Sequence, residues 1–473
     1  MRNESDYATQ ALQAVDGLLA EVGIDRAAQA GGALRFTGKD PDFDTPHHIV
    51  MASAAAIGAQ ATGAAALWRA NGGHEQNIEI NLTQAAAALH PAQYQRQSGY
   101  PIPALSLARE LKADFYKTAD NRWFFPIGSY PHLRNGVLDA LNCPNNETAL
   151  AAAIGKWRGF ELEEEFAKRK LPGVLARTRE EWLDHPQGQI LANSPTIRIE
   201  KIGDSAPELH KPGRRPLEHL RVLDAAHVIA GPVVARTLAE QGADVLRVSS
   251  PMQPDPMPQT IDTGIGKRCA YLELKDGGDA ARLRELCREA DVFVQSWRPG
   301  AMERLGFGPE DVAHIRPGII YVSVSCYGQE GPWAERGGFE QLGQIVCGLA
   351  HDEGRDGRPR VVPTYLLNDY VTAYLGATGV YAALLRRAKE GGSYHVKVAL
   401  TRTSMWTQSL GMRKRPAPAN AVAPATLNPE LETRDSPYGK LEQLPPVAQF
   451  SCTAARWELP PSPLGACRAE WLR

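Results

Sequence analysis

Apolar positions set the first outline of the chain. Between Tyr370 and Ala388, the residues Val371, Tyr374, Leu375, Thr378, Val380, Tyr381, Leu384 and Leu385 recur at helical spacing, and Gly391-Gly392 ends the run. A strand-like alternation, Val396 to Leu400, and a second helix follow. The order helix, Arg, Gly-Gly, strand, Thr, helix also occurs earlier: an Ala-rich helix with Arg69, then Gly72-Gly73, then Ile78 to Leu82. We read an internal duplication in which Arg69 matches Arg387 and Met51 falls opposite Asp369, so the first copy lacks the acid. His47 and His48 near the first copy are expected in solvent.

Between 217 and 330 the pattern alternates. Strands are predicted at Leu220–Ala225, Ala243–Val248, Ala270–Leu274, Val292–Gln295 and Ile319–Val324, with helices at Val233–Gln241, Asp279–Glu289 and Pro309–Ile315 between them. Such alternation implies βαβ units, a largely parallel sheet and helices on both faces. Residues 110–200 read as a small α+β unit. It opens with a hairpin, Phe115–Phe125, around an Asp-Asn turn, and a capping-box pattern at Thr178 starts a helical segment to Leu191. A polar linker, Gly203–Pro216, separates it from the alternating region. The predicted class is therefore α/β, with a mainly parallel sheet and a small α+β unit. The expected organisation is an N-terminal helical region, 1–91, a small unit, 92–203, and an α/β unit, 217–473, that takes a helix from the N-terminal region.

Composition narrows the partners. The 473 residues carry a formal net charge of −2, so no basic excess exists to neutralise nucleic-acid phosphates. No apolar run is read as long enough to span a membrane and the N-terminus lacks a signal-peptide pattern, so a cytoplasmic protein without a membrane partner is expected. The seven cysteines are scattered, without CxxC or Cys/His spacing, and read as reduced thiols rather than a metal site. No GxGxxG or GxxxxGK[ST] is present to mark a nucleotide fold.

One acid stands out. Asn368-Asp369 sits where the long helix starts, and free N–H groups with the positive dipole end hold a carboxylate ionised there. Asp369 is thus either a helix cap or a nucleophile.

Ordered motifs then extend across Leu220–Trp406: LRVLDAAHVIAGP from Leu220, LAEQGADVLRV from Leu238, Leu272-Glu273-Leu274-Lys275, Ser296-Trp297-Arg298-Pro299-Gly300, and Tyr327-Gly328-Gln329. Together they resemble the class III CoA-transferases (CaiB/BaiF type), the family of formyl-CoA, carnitine-CoA and bile-acid CoA transferases. The resemblance implies that Asp369 takes the acyl group of a CoA thioester as a mixed anhydride, then carries CoA as a thioester, and that an acceptor acid collects it. CoA and acyl-CoA are substrates here, a small carboxylic acid is the second partner, and no cofactor is bound permanently. The carried-over CoA contacts are Val228, Ile229, Ala230, Leu272, Lys275, Ser296, Trp297, Arg298 and Arg304. Glu340, after Phe339, is either a second acid of the site or the start of a helix.

The sequence departs from the family at Ile229 (usually Gln), at Ser249-Ser250 (often Glu-Arg) and at Ala373 (usually Gly). The small unit also precedes the catalytic helix instead of following it. A homodimer, or a pseudo-dimer within one chain, is implied. Two other readings stay open: an acyl-CoA racemase or isomerase, for which Phe339 is the wrong residue, and a non-catalytic CoA-binding subunit.

Overall fold

The computed structural model describes residues 4–102, 111–209, 211 and 213–472. Two positions of the predicted linker, His210 and Pro212, lie outside them. The labels that follow cover the elements that position the site. They are helix α1 (Ile49–Ala70), strands β1 (Arg198–Gly203) and β2 (Arg221–Asp224), helix α2 (Ala230–Ala239), and strands β3 (Asp244–Ser249), β4 (Lys267–Tyr271), β5 (Val292–Gln295) and β6 (Ile320–Ser325). After these come helices α3 (Glu340–Val346) and α4 (Asn368–Glu390), strand β7 (Ser393–Ala399) and helix α5 (Leu400–Ser409).

The seven strands form one sheet in the order β4-β3-β2-β5-β6-β7-β1. All neighbours are parallel except the last pair, where β1 runs antiparallel to β7. Successive strand residues alternate between two apolar clusters, as a two-residue repeat requires. Val222, Val294, Val322 and Val396 face one cluster with α4 and α2. Leu223, Phe293 and Tyr321 face the other, with Leu283 and Val312 from the helices Gly277–Cys287 and Pro309–Ile315. Helices therefore cover both faces, and the α/β class is as expected. Contact is closest at Gly379 of α4, where a Cβ would stand 2.4 Å from Val396 Cγ1.

Boundaries moved in several places. The predicted strand at 270–274 lies at Lys267–Tyr271, and the segment at 178–191 splits into Arg179–Asp184 and Pro186–Ala192 because Pro186 cannot continue a helix. The capping box of Thr178 and Glu181 is present, and the hairpin pairs Tyr116 with Phe124. Helix Met257–Gly264 was not predicted. β1, at the end of the stretch read as the small unit, is the edge strand of the large sheet. The C-terminal return leaves that sheet: Ala448–Phe450 pairs with Ile78–Asn81, and Gly439–Gln443 pairs with Arg96–Gln97.

Two expectations about the N-terminal region are corrected. Helix α1 is long and apolar enough to cross a membrane by length and composition, yet it is fully buried, from Ile49 to Leu67, against α4 and its neighbours. His47 and His48 are also buried, His47 against the short helix Leu349–Glu353 that follows α3. His47 Nδ1 lies 2.8 Å from Glu353 Oε1, and Nε2 lies 3.5 Å from Asp352.

Candidate active site

The parallel strands bring their carboxyl ends to one edge, and the loops beyond that edge carry most of the predicted contacts. After β2 the chain turns through Val228, whose φ of +65° is a left-handed conformation rarely taken by a β-branched residue. This strain is held by a specific partner. The Val228 N–H donates to both oxygens of Asp255 at 3.2 Å, and the Arg247 guanidinium holds the same carboxylate at 2.6 Å. The phenol of Tyr130, from the small unit, donates to Asp255 at 2.8 Å. Asp255, Arg247 and Tyr130 were not singled out from the sequence, and no spacing pattern marks them.

Ser296, after β5, locks the neighbouring loop by accepting from His227 N–H at 3.0 Å and donating to His227 C=O at 2.9 Å. The Trp297 indole N–H donates to Ala225 C=O at 2.9 Å, and its ring stacks on His227 at 4.0 Å between centroids. The β2 and β5 loops are thereby one rigid piece. Ile229 and Leu272 are buried in the apolar clusters, so only their backbone groups can meet a ligand. Ala230 is the first residue of α2. Lys275 follows β4 and Arg304 lies in the short turn Glu303–Leu305; both are exposed. The Arg298 guanidinium donates to Lys170 C=O at 3.1 Å and flanks Gly337. These residues gather at one edge, where the cationic side chains stand at its rim.

Asp369 does not cap its helix. It lies in the first turn of α4, and the N-cap position is Leu367, which has no side-chain cap. The capping acid is Glu340, the first residue of α3: its Oε1 accepts from Leu367 N–H at 3.1 Å and its Oε2 from Asp369 N–H at 2.5 Å. Gln344, one turn along α3, donates to Glu340 Oε1 at 2.6 Å. The Asn368 side chain is fixed as well, donating to Glu340 C=O at 3.2 Å and accepting from Ser404 of α5 at 2.8 Å. The pattern of Asn-Asp before an apolar helix cannot reveal this, because the capping acid comes from a segment 29 residues away.

The consequence for charge reverses the expectation from the dipole. Burial, with the Glu340 charge added, pushes the Asp369 carboxyl well above the usual carboxylate range. Burial raises Glu340 too, against the donors from Gln344 and the backbone. Those donors fall on Glu340 and none from a described residue falls on the Asp369 carboxyl, so Glu340 is the better stabilised anion of the two. Phe339 faces Tyr130 at 6.4 Å between ring centroids, and the Cys326 thiol, raised by burial, reaches Phe339 C=O at 3.6 Å. The site is thus a buried acid at a helix start, whose charge reaches Tyr130, the partner of Asp255.

Comparison with known proteins gives a family. A family described as CoA-transferase family III matches residues 18–210 and 217–437. The acetyl-coenzyme A transferase nodX of Hypoxylon pulicicidum is 32% identical over 327 residues, covering 64% of this chain and 55% of that protein. The acetyl-CoA:oxalate CoA-transferase of Acetobacter aceti is 34% identical over 197 residues, covering 39% of this chain and 51% of its own. The chain spans about half the length of these curated relatives. Among solved structures, a CAIB/BAIF family protein from Brucella suis aligns over 48% of this chain and 65% of its own, at 26% identity and a TM-score of 0.38.

Proposed function

The chain belongs to CoA-transferase family III, and from that premise we propose that it moves CoA between an acyl-CoA and a small carboxylic acid through Asp369. One observation carries the reading: Asp369 is a buried carboxyl without a hydrogen-bond donor among the described residues, beside an acid that already satisfies the helix start. An acid with no structural duty, made more basic by its surroundings, is a better nucleophile once its proton leaves.

The Asp369 carboxylate attacks the thioester carbonyl, the C–S bond breaks, and CoA leaves as the thiolate from a mixed anhydride. The thiolate attacks the aspartyl carbonyl and releases the donor acid, leaving an aspartyl thioester. The acceptor carboxylate then displaces the thiolate, and the thiolate takes the acceptor acyl group and restores Asp369. Shielding from water protects the anhydride. In this reading Glu340 keeps the start of α4 in place, and the CoA body lies along Val228 to Ala230, Leu272, Lys275, Ser296 to Arg298 and Arg304.

The test is covalent. Incubation with acetyl-CoA followed by hydroxylamine should label one residue per chain, in the peptide around Leu367–Tyr374, and Asp369→Asn should remove both the label and turnover. A label elsewhere, or turnover retained in Asp369→Asn, sinks the proposal.

A further inference from the structure

Away from the Asp369 carboxyl, helix Pro186–Ala192 packs on α5, and beside that contact lies a cavity of about 180 Å³. That is roughly the liquid volume of six waters. Arg179, Trp182, Leu183, Arg402, Met405 and Gln408 line it.

Its arginines are not neutralised by a described residue, a state that half-buried Arg298 and Arg386 share elsewhere in the fold. Other buried arginines meet a carboxylate: Arg177 with Glu163, Arg236 with Asp262, Arg247 with Asp255 and Arg387 with Asp291. Half-buried Arg402 does not. Its Nε donates to Ser194 C=O at 2.9 Å, and among the described residues nothing accepts from its two Nη groups. Burial lowers its proton affinity, with only the field of Glu21 opposing. Arg179, exposed at the rim, has no ion pair with a described residue either. Arg179 and Arg402 line the same cavity as Trp182, Leu183 and Met405, and Arg402, held by Ser194, also borders the neighbouring cavity that Glu330 and Lys397 line. A guanidinium fork matches a carboxylate in shape and charge, and the three apolar side chains suit a hydrocarbon tail.

The cavity is separate from the candidate active site but shares its helices. Gln408 donates to the carbonyl of Cys347, just past the end of α3, at 3.3 Å, and Ser404 of α5 holds Asn368. Glu340 stands at the opposite end of α3, about 10 Å away along the helix axis.

We propose that this cavity binds a short aliphatic monocarboxylate, its carboxylate between Arg179 and Arg402 and its tail against Trp182, Leu183 and Met405. The site stands whether or not Asp369 is a nucleophile.

The experiment uses the full chain without added CoA, with butyrate as probe and acetate and inorganic phosphate beside it, read by saturation-transfer NMR and tryptophan fluorescence. Butyrate should bind at millimolar concentration and at least about tenfold more tightly than acetate, from its two further methylenes. Phosphate should bind more weakly than butyrate. Arg402→Gln and Arg179→Gln should each weaken butyrate by about tenfold or more, the loss of one charge-assisted contact, and Met405→Trp should block the cavity. Asp369→Asn should leave butyrate binding as it was. If Arg402→Gln fails to fold for want of the Ser194 bond, Arg179→Gln and Met405→Trp decide. No butyrate binding up to about 50 mM, phosphate preferred over butyrate, or binding lost in Asp369→Asn and kept in Arg179→Gln and Met405→Trp would each overturn the proposal.

Discussion

Replacing Asp369 by Asn should stabilise the protein, and by an amount that grows with pH. The Asp369 N–H lies 2.5 Å from Glu340 Oε2. Three bonds separate that nitrogen from the Asp369 carboxyl carbon, so the two carboxyls lie within about 6 Å of each other. At an effective dielectric of about 20, two like charges at that distance repel by about 3 kcal/mol.

The sign follows from the direction of the shift. Burial and Glu340 raise the Asp369 carboxyl in the folded state, so its destabilising effect is absent below the unfolded value of about 3.9 and builds as pH rises toward the folded value. Asn keeps the volume and removes the charge. Urea denaturation between about pH 5 and pH 8, followed by tryptophan fluorescence, should show the variant gaining steadily on the wild type, by an amount on the order of 3 kcal/mol from the Glu340 charge. In a Glu340→Gln background the gain should shrink. A difference that stays constant across the range, or a variant less stable at the alkaline end, would refute the charge pairing drawn here.

Three further outcomes are expected. Arg247→Met leaves the Asp255 carboxylate, among the described residues, with only Val228 N–H and Tyr130 OH as donors, and should cost about 3–5 kcal/mol in the same denaturation assay; a loss below about 1 kcal/mol would mean that the pair is idle. Gly63→Ala places a Cβ 2.9 Å from Tyr381 Cβ, an atom that cannot swing away, and should lower stability by about 1–3 kcal/mol by prising α1 from α4. Burial lowers the proton affinity of His47, but Asp352 and Glu353 outweigh it and raise its pKa overall. Its stabilisation is therefore full below about pH 6.5 and lost as pH rises through the folded value. His47→Gln should flatten that part of the pH profile, and an unaltered profile would exclude His47 as its source.

The class of fold and the candidate acid were legible in the chain, because both rest on local rules. Alternating strand and helix periods specify a parallel sheet whatever the distant contacts, and Asp369 is marked by the apolar helix that follows it. The strand ends also came out within a few residues, so the loops that carry Val228, Ser296 and Lys275 were found at their common edge. What Asp369 does to its own helix was not legible. Its neighbours in sequence suggest a cap, but a cap is any acceptor that reaches the free N–H groups, and Glu340 reaches them from another helix. The burial of His47 and of α1, the Asp255 clamp on Val228 and the unpaired Arg402 were likewise decided by packing between segments far apart in the chain. Periodicity tells which face of an element turns inward; it carries no information on which charge it will meet there, and that meeting sets the chemistry of the site.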